Sequence, residues 1–185
     1  EAFVAPADCG YGVDCYDNTY VVFPSNNTLY AYTADGLQTL LNNATDGATI
    51  HIAADITGDV VATQKADVKV TIEGHGHNYA GVILVDGKSA TYTTAGLTIK
   101  ELNFNADSIS ADACIRLGKD NNSRYTCNVT VDSCIFDVPG AVGVKSYTGG
   151  DKNLTIKDCT ATANAHSLVQ AKGIDGILVE KCTVN

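Results

Sequence analysis

Methionine is missing from this chain, and arginine is nearly so. The 185 residues include no Met and only two Arg, which are Arg116 and Arg124. Because no initiator residue remains, we expect a processed precursor or a piece of a longer protein. With 21 acidic against 12 basic residues and a net charge of −9, the chain lacks the basic surface on which nucleic-acid binding depends. We therefore expect no nucleic-acid partner.

Long apolar runs and targeting signals are also missing. No stretch approaches the roughly 20 apolar residues that a membrane-spanning helix needs, so no insertion into a membrane is predicted. No signal peptide or lipidation motif is visible, although a signal peptide could have preceded Glu1. With 45% apolar residues in 185, the chain can bury one substantial core.

A seven-residue pattern recurs through most of the chain. Its copies begin at Lys69, Gly96, Asn128, Asn153 and Gly176, so successive copies are separated by 27, 32, 25 and 23 residues. Within each copy, apolar and polar residues alternate as in a β-strand. A period near 25 residues without a helical pattern predicts a solenoid, in which each repeat buries its apolar face against its neighbours.

A second set of strand-like segments recurs at similar spacing, separated from the first by Gly, Asn and Asp. Its members are 82–85, 114–117, 142–145 and 167–170. Two or three short strands per repeat predict an all-β parallel β-helix. We place it at residues 47–185, with about five to six coils.

These patterns resemble a known superfamily. The strands, the turn at 72–77 (I-E-G-H-G-H) and the column of cysteines are similar to the right-handed parallel β-helices of pectate and pectin lyases. The resemblance covers about residues 47–185 and implies a single-stranded right-handed coil. Segments 60–105 and 144–159 are more narrowly similar to β-helices of large surface proteins and phage-associated proteins of gut bacteria. That similarity implies a non-catalytic type.

The first 46 residues differ in kind. Residues 1–33 form an irregular segment that is rich in Tyr, Asn and Pro. A short helix is predicted at about 35–45, with Thr33 or Asp35 as its N-cap. Its apolar face consists of Leu37, Leu40, Leu41 and Ala44. Because the end of a β-helix exposes core and unpaired strand edges, we expect this helix to cap the first coil.

The other end shows no such cap, since the sequence stops at Asn185 directly after a strand. Three explanations remain open. The chain is a fragment of a longer solenoid, a partner covers its end, or copies of the chain stack head to tail.

The seven cysteines fall into two groups. One group occupies the same repeat position and should stack about 4.8 Å apart inside the coil, packing as small apolar residues; it consists of Cys134, Cys159 and Cys182. A linear stack without a nearby His suits tetrahedral Zn²⁺ poorly. The other group supplies disulfide candidates, Cys9 with Cys15 and Cys114 with Cys127. We accordingly expect an extracellular, cell-surface or virion location.

No catalytic set is predicted. Lyases of the resembled superfamily combine Ca²⁺-binding carboxylates with an Arg or Lys base, whereas Asp132 and Asp158 should be solvated residues at strand-to-turn corners. The letters G-H-G around His75 occur in the polygalacturonase branch, but the Asp-Asp pair and the R-I-K motif are missing. We expect His75 to be a turn residue.

Metal binding is not predicted either. His75 and His77 are two residues apart and could hold a divalent ion weakly, but a third ligand is missing. His51 and His166 are isolated in the sequence. We therefore predict no catalytic residue, no metal site and no cofactor.

Two sets of residues are candidates for binding. One outward threonine per coil forms either an ordinary solvated β-face or a hydrogen-bonding array for a polysaccharide or a protein partner; these are Thr71, Thr98, Thr130 and Thr155. N-terminal tyrosines either pack onto the first coil or form an aromatic contact surface; they include Tyr11, Tyr16 and Tyr20.

These features predict a non-enzymatic extracellular module, structural or adhesive, of a cell-surface, filament or virion assembly. Its expected partners are copies of itself arranged head to tail, a larger parent assembly, or a polysaccharide. The alternative is a polysaccharide lyase or glycoside hydrolase of the pectin-lyase fold whose catalytic coils lie outside this segment.

Overall fold

Short strands dominate the computed structural model, which describes residues 20–23, 28–87, 93–118, 125–147 and 150–185, with the backbone alone up to residue 28. The described strands form three sheets along the sides of a right-handed parallel β-solenoid. The predicted fold class is thereby confirmed.

Each sheet takes strands from successive turns. Sheet A consists of β1 (Tyr20–Phe23), β2 (Thr28–Ala31), β3 (Ala48–Ile52), β6 (Lys69–Glu73), β9 (Gly96–Lys100), β12 (Cys127–Asp132), β15 (Lys152–Lys157) and β18 (Asp175–Glu180). Sheet B consists of β4 (Ile56–Thr57), β7 (Asn78–Ala80), β10 (Asn103–Asn105), β13 (Ile135–Asp137), β16 (Thr160–Ala161) and β19 (Thr183–Val184). Sheet C consists of β5 (Val60–Thr63), β8 (Ile83–Asp86), β11 (Ala113–Leu117), β14 (Val142–Ser146) and β17 (Ser167–Gln170).

One full turn contributes one strand to every sheet. The first turn contains β3, β4 and β5, the fifth contains β15, β16 and β17, and β18 with β19 begins a sixth. The recurring seven-residue pattern corresponds to sheet A, and the second predicted strand set corresponds to sheet C. Sheet B takes the middle strand of each turn, which was not predicted, because strands of two or three residues are too short to show a sequence period.

The core consists of columns of like residues. In sheet A, one inward column is aliphatic in five successive turns and wholly buried; it contains Ile50, Ile72, Ile99, Val131 and Ile156. In sheet B, Tyr79, Phe104 and Phe136 are paired in register, with ring centroids 5.5 and 5.2 Å apart. Such aromatic pairs add about 0.5–1.5 kcal/mol each to the energy of burial.

The predicted N-terminal helix is present as α1 (Ala34–Asn43). Thr33 is its N-cap, because the Thr33 Oγ1 accepts a hydrogen bond from the backbone N–H of Gly36 at 3.1 Å. The apolar face is buried against β2, β3 and β5, and it includes Leu37, Leu40 and Leu41. Among the described residues, no helix is long and apolar enough to cross a membrane.

Two N-terminal strands were missed by the sequence analysis. β1 and β2 pair antiparallel, and β2 pairs in parallel with β3, so sheet A extends two strands beyond the first full turn. Each of the two strands has only four residues, which is too short for alternation to stand out in a segment rich in Tyr and Asn.

The cysteines only partly follow prediction. Cys134 and Cys159 are buried in adjacent turns, and the backbone N–H of Cys134 donates to the Cys159 Sγ at 3.4 Å. Cys182 is half-buried and packs against the same core. These three thiols are free, as are Cys114 and Cys127.

The predicted bridge between Cys114 and Cys127 is therefore wrong. Cys114 lies in β11 of sheet C, whereas Cys127 begins β12 of sheet A and its thiol donates to the Ala95 carbonyl at 3.4 Å. The chain returns to a different side of the solenoid between the two cysteines. Burial raises the pKa of Cys114 to about 12, which further disfavours oxidation. Cys9 and Cys15 lie outside the described residues.

Candidate functional site

The outer face of sheet A carries a row of threonines. Five successive strands place a half-buried Thr in register; they are Thr49, Thr71, Thr98, Thr130 and Thr155. The row contains all four threonines that the sequence analysis selected, one per turn, and adds Thr49. Leu178, which is 50% exposed, occupies the next position.

A second row on the same face alternates in charge. Strand pairing aligns one residue per turn, in the order His51, Glu73, Lys100, Asp132, Lys157 and Glu180. The Lys100 Nζ lies 2.6 Å from the Glu73 Oε1, and the Lys157 Nζ lies 2.9 Å from the Asp132 Oδ2. Opposite charges directly across a sheet stabilise the pairing of its strands.

The two corner carboxylates singled out in the sequence do not stack. Asp132 pairs in register with Lys157, and Asp158 is the next residue, at the corner. Asp158 has a φ of 53°, and the corresponding Ser133 has a φ of 54°. The two carboxylates therefore belong to different positions of the repeat, so they do not form a carboxylate pair on one face.

The turn that follows β6 departs from the repeat. Strand register pairs Glu73 with Lys100 and Asn78 with Asn103. Four residues separate Glu73 from Asn78, whereas only two separate Lys100 from Asn103. The two extra residues are His75 and Gly76, which have φ values of 51° and 76°. The His77 N–H donates to the Gly74 carbonyl at 2.9 Å, closing a turn with two left-handed central residues.

This turn brings His75 onto the charged row. The His75 Nε2 lies 2.6 Å from the His51 Nδ1, and the Glu73 Oε2 lies 3.6 Å from that same nitrogen. One ligand atom from each residue lies within 4.8 Å of the others. His51, Glu73 and His75 thus form a cluster, here called the His–Glu–His cluster, which the sequence analysis missed because it treated His51 as isolated.

Neighbouring groups set the protonation of the cluster. Burial lowers the pKa of His51, an effect that Glu73 opposes and that His75 and Lys100 reinforce. The hydrogen bond from Lys100 lowers the pKa of Glu73. Near neutral pH the cluster therefore contains a carboxylate and a neutral imidazole at His51, which are the forms that bind metal ions.

The other two histidines lie elsewhere. The His77 Nδ1 is 3.2 Å from the Asp55 Oδ1, and Asp55 also accepts hydrogen bonds from the backbone and the side chain of Asn78. His166 is exposed in the turn between β16 and β17. His75 and His77, which the sequence suggested as a weak ligand pair, therefore have different partners, His51 and Asp55.

The outer face of sheet C carries a second polar group of residues. Arg116 and Lys145 are paired in register, and both cations lie over the ring of Tyr147, at 4.3 and 4.9 Å from its centroid. Asp112 accepts hydrogen bonds from Lys145, at 2.6 Å, and from the Tyr147 hydroxyl. Asp112 neutralises one of the two cations, and the face of the Tyr147 ring contacts both. Its members come from two separate segments, 112–116 and 145–147, so sequence spacing did not reveal it.

The tyrosine candidates stay predictions. Tyr11 and Tyr16 lie outside the described residues, and Tyr20 is placed in β1 by its backbone alone. Comparison of the chain with protein-family models, with curated proteins and with solved structures gave no match.

Proposed function

We propose that this protein is a non-enzymatic structural or adhesive module of an extracellular assembly, such as a cell surface, a filament or a virion. It would represent a non-catalytic branch of the pectin-lyase-like β-helices. The main support for the proposal is the alternating row of charges on sheet A. Its carboxylates form ion pairs with lysines of the next turn along the axis, so they are not gathered around one substrate.

Enzymes that cleave polysaccharides require carboxyl groups that are available to the sugar. A glycosidase places two of them on either side of one glycosidic bond, about 5–9.5 Å apart. Here Glu73 is bound by Lys100, and Asp132 is bound by Lys157. These pairs make a regular, self-neutralised surface, which suits a rigid rod that joins other components.

Incubation with anionic and neutral polysaccharides, each with and without Ca²⁺, tests the absence of catalysis. We expect no release of unsaturated or reducing ends. Appearance of either product would overturn the proposal in favour of a lyase or a hydrolase.

The threonine row is the proposed adhesive surface. Its hydroxyl groups recur once per turn, about every 4.8 Å, so an extended polymer lying along the axis could bond to several of them. Affinity electrophoresis in gels containing soluble polysaccharides measures such binding. We expect retardation of the wild type and its loss in the double variant Thr98→Lys/Thr130→Lys. Thr160→Lys, on the outer side of sheet B, is the matched control and should bind normally.

Self-association is the second form that the proposal takes. In the turn formed by β18 and β19, Ile177 and Val179 are 46% and 44% exposed, although they continue inward columns of the preceding turns. We propose that a second copy covers these side chains. Sedimentation velocity at rising concentration should show growing species, which Val179→Lys should reduce. A wild type that stays monomeric would contradict this form of the proposal.

A further inference from the structure

We propose that the His–Glu–His cluster binds a divalent transition-metal ion of the Zn²⁺ class, and that the ion links the first two turns of the solenoid. His51 belongs to β3, whereas Glu73 and His75 belong to β6 and to the turn that follows it. Two imidazoles and one carboxylate are a ligand set that Zn²⁺ uses in proteins, with a fourth position left for water or another ligand. This inference does not depend on the proposed function.

The three ligand atoms lie close to the positions that a bound metal ion requires. Tetrahedral Zn²⁺ with Zn–N bonds of about 2.0–2.1 Å holds two ligand nitrogens roughly 3.3 Å apart. The His51 Nδ1 and the His75 Nε2 are 2.6 Å apart, with ring centroids 4.9 Å apart, so the nitrogens lie between the two rings and face each other. Binding requires them to separate by less than 1 Å, which the exposed turn at His75 permits.

The surroundings hold two of the three ligands in place. Tyr30 stacks on His51, with centroids 5.1 Å apart. The Glu73 Oε1 is held by Lys100 at 2.6 Å, and the Oε2 is the oxygen that faces His51. Groups that orient the ligands of a metal site in this way commonly change its affinity by 10–100-fold. Lys100 also adds positive charge nearby, which lowers the affinity for a cation.

The backbone gives a second and independent reason. The corners after β9, β12 and β15 turn through one left-handed residue, at Glu101, Ser133 and Asp158. Of these four corners, only the one after β6 has two extra residues. One of them is His75, whose side chain lies against His51. Gly74 permits this path, because a Cβ there would lie 2.3 Å from the Glu101 carbonyl oxygen. The interruption of the repeat is thus the feature that completes the cluster.

The chemistry favours borderline ions over Ca²⁺ and Mg²⁺. The latter two prefer sites made of oxygen ligands, whereas two of the three ligand atoms here are imidazole nitrogens. Zn²⁺, Co²⁺ and Ni²⁺ should therefore bind, and Ca²⁺ should not.

The test titrates the whole chain with Zn²⁺ by calorimetry and with Co²⁺ by visible absorption, after treatment with a chelator. His75→Asn is the informative variant, because Asn tolerates the left-handed backbone at this exposed position and the turn should survive. We expect one ion per chain and weakening of at least about 100-fold in His75→Asn. Glu73→Gln should also weaken binding.

Two matched variants serve as controls. His166→Asn makes the same chemical change in the fifth turn, and His77→Asn makes it two residues from the cluster. Both should bind Zn²⁺ like the wild type. Circular dichroism establishes that each variant is folded.

Co²⁺ spectra separate this site from binding by cysteine. A His–Glu–His site gives visible d–d bands alone, whereas thiolate ligands add an intense near-ultraviolet charge-transfer band. The proposal is wrong if the wild type binds no Zn²⁺, if His75→Asn binds as tightly as the wild type, or if the thiolate band accompanies binding.

Discussion

Tyr79 shows how strict the core of this solenoid is at the scale of one residue. It is wholly buried between Ile56 and Phe104 in sheet B, and its hydroxyl has no hydrogen-bond partner among the described residues. Burial, with a smaller contribution from the charge of Asp59, raises the pKa of Tyr79 far above its ordinary value. The unpaired hydroxyl therefore lowers the stability of the fold, although the aromatic column accommodates the ring.

Replacing Tyr79 with Phe should stabilise the protein by about 1 kcal/mol, because an unsatisfied buried hydroxyl is removed while the ring is kept. Urea denaturation measures the change in the free energy of unfolding. Phe104→Tyr is the reciprocal control and should cost about 1–3 kcal/mol, since it adds a hydroxyl to the same stack. A loss of stability in Tyr79→Phe would show that the hydroxyl is bonded.

At the scale of an element, α1 depends on its first turn. The Thr33 side chain caps Gly36, and the helix then buries its leucines against the first strands of the solenoid. The cap and the apolar stripe were both visible in the sequence. Strands β2, β3 and β5 decide which surface the stripe covers.

Thr33→Ala should lower the free energy of unfolding by about 1 kcal/mol, because an orphan N–H of the helix loses its acceptor. Thr33→Ser keeps the hydroxyl and should stay close to the wild type. The measurement is urea denaturation followed by circular dichroism. Equal effects of the two variants would mean that packing of the Thr methyl group, rather than the cap, is responsible.

At the scale of the whole molecule, the charges form an ordered pattern. Lys100 lowers the pKa of Glu73, and Lys145 lowers the pKa of Asp112. Burial raises the pKa of Asp132, but hydrogen bonds from Lys157 and Ser133 outweigh it and leave the pKa lowered. These carboxylates tie together turns that are otherwise joined by strand pairing and by the core.

Acid should therefore destabilise the protein. A carboxyl group with a lowered folded pKa contributes stability above its unfolded pKa, which is 4.5 for Glu and 3.8 for Asp. That contribution is lost as the pH falls through the lower folded value. Burial also lowers the pKa of His51 below its ordinary value of 6.5, so the unfolded chain takes up this proton first as the pH falls. Thermal unfolding midpoints should therefore decline slightly below about pH 6.5 and more steeply between about pH 4.5 and pH 2.

Salt provides the control for this prediction. At about 1 M NaCl the Debye length is about 3 Å, so the pairs at the surface are screened and the decline should become shallower. A midpoint that does not change with pH would show that the charged row adds nothing to stability.

The sequence determined which residues are equivalent from turn to turn. Recurrence of the seven-residue pattern predicted the strands of sheet A, the inward column that includes Ile99 and Ile156, and the outward row that includes Thr98 and Thr155. This was possible because a solenoid buries each repeat only against its neighbours, so period and alternation carry the fold. Sheet B, β1 and β2 were too short to carry such a signal.

Only the tertiary structure decided which residues of neighbouring turns meet. His75 occupies the repeat position of Leu102 in the sequence alignment. In the structure, however, it is one of two inserted residues and lies against His51, 24 residues earlier in the chain. Asp132 likewise meets Lys157 rather than Asp158. Contacts of this kind depend on register and on the path of a single corner, and a shift of one or two residues changes which side chains share a face.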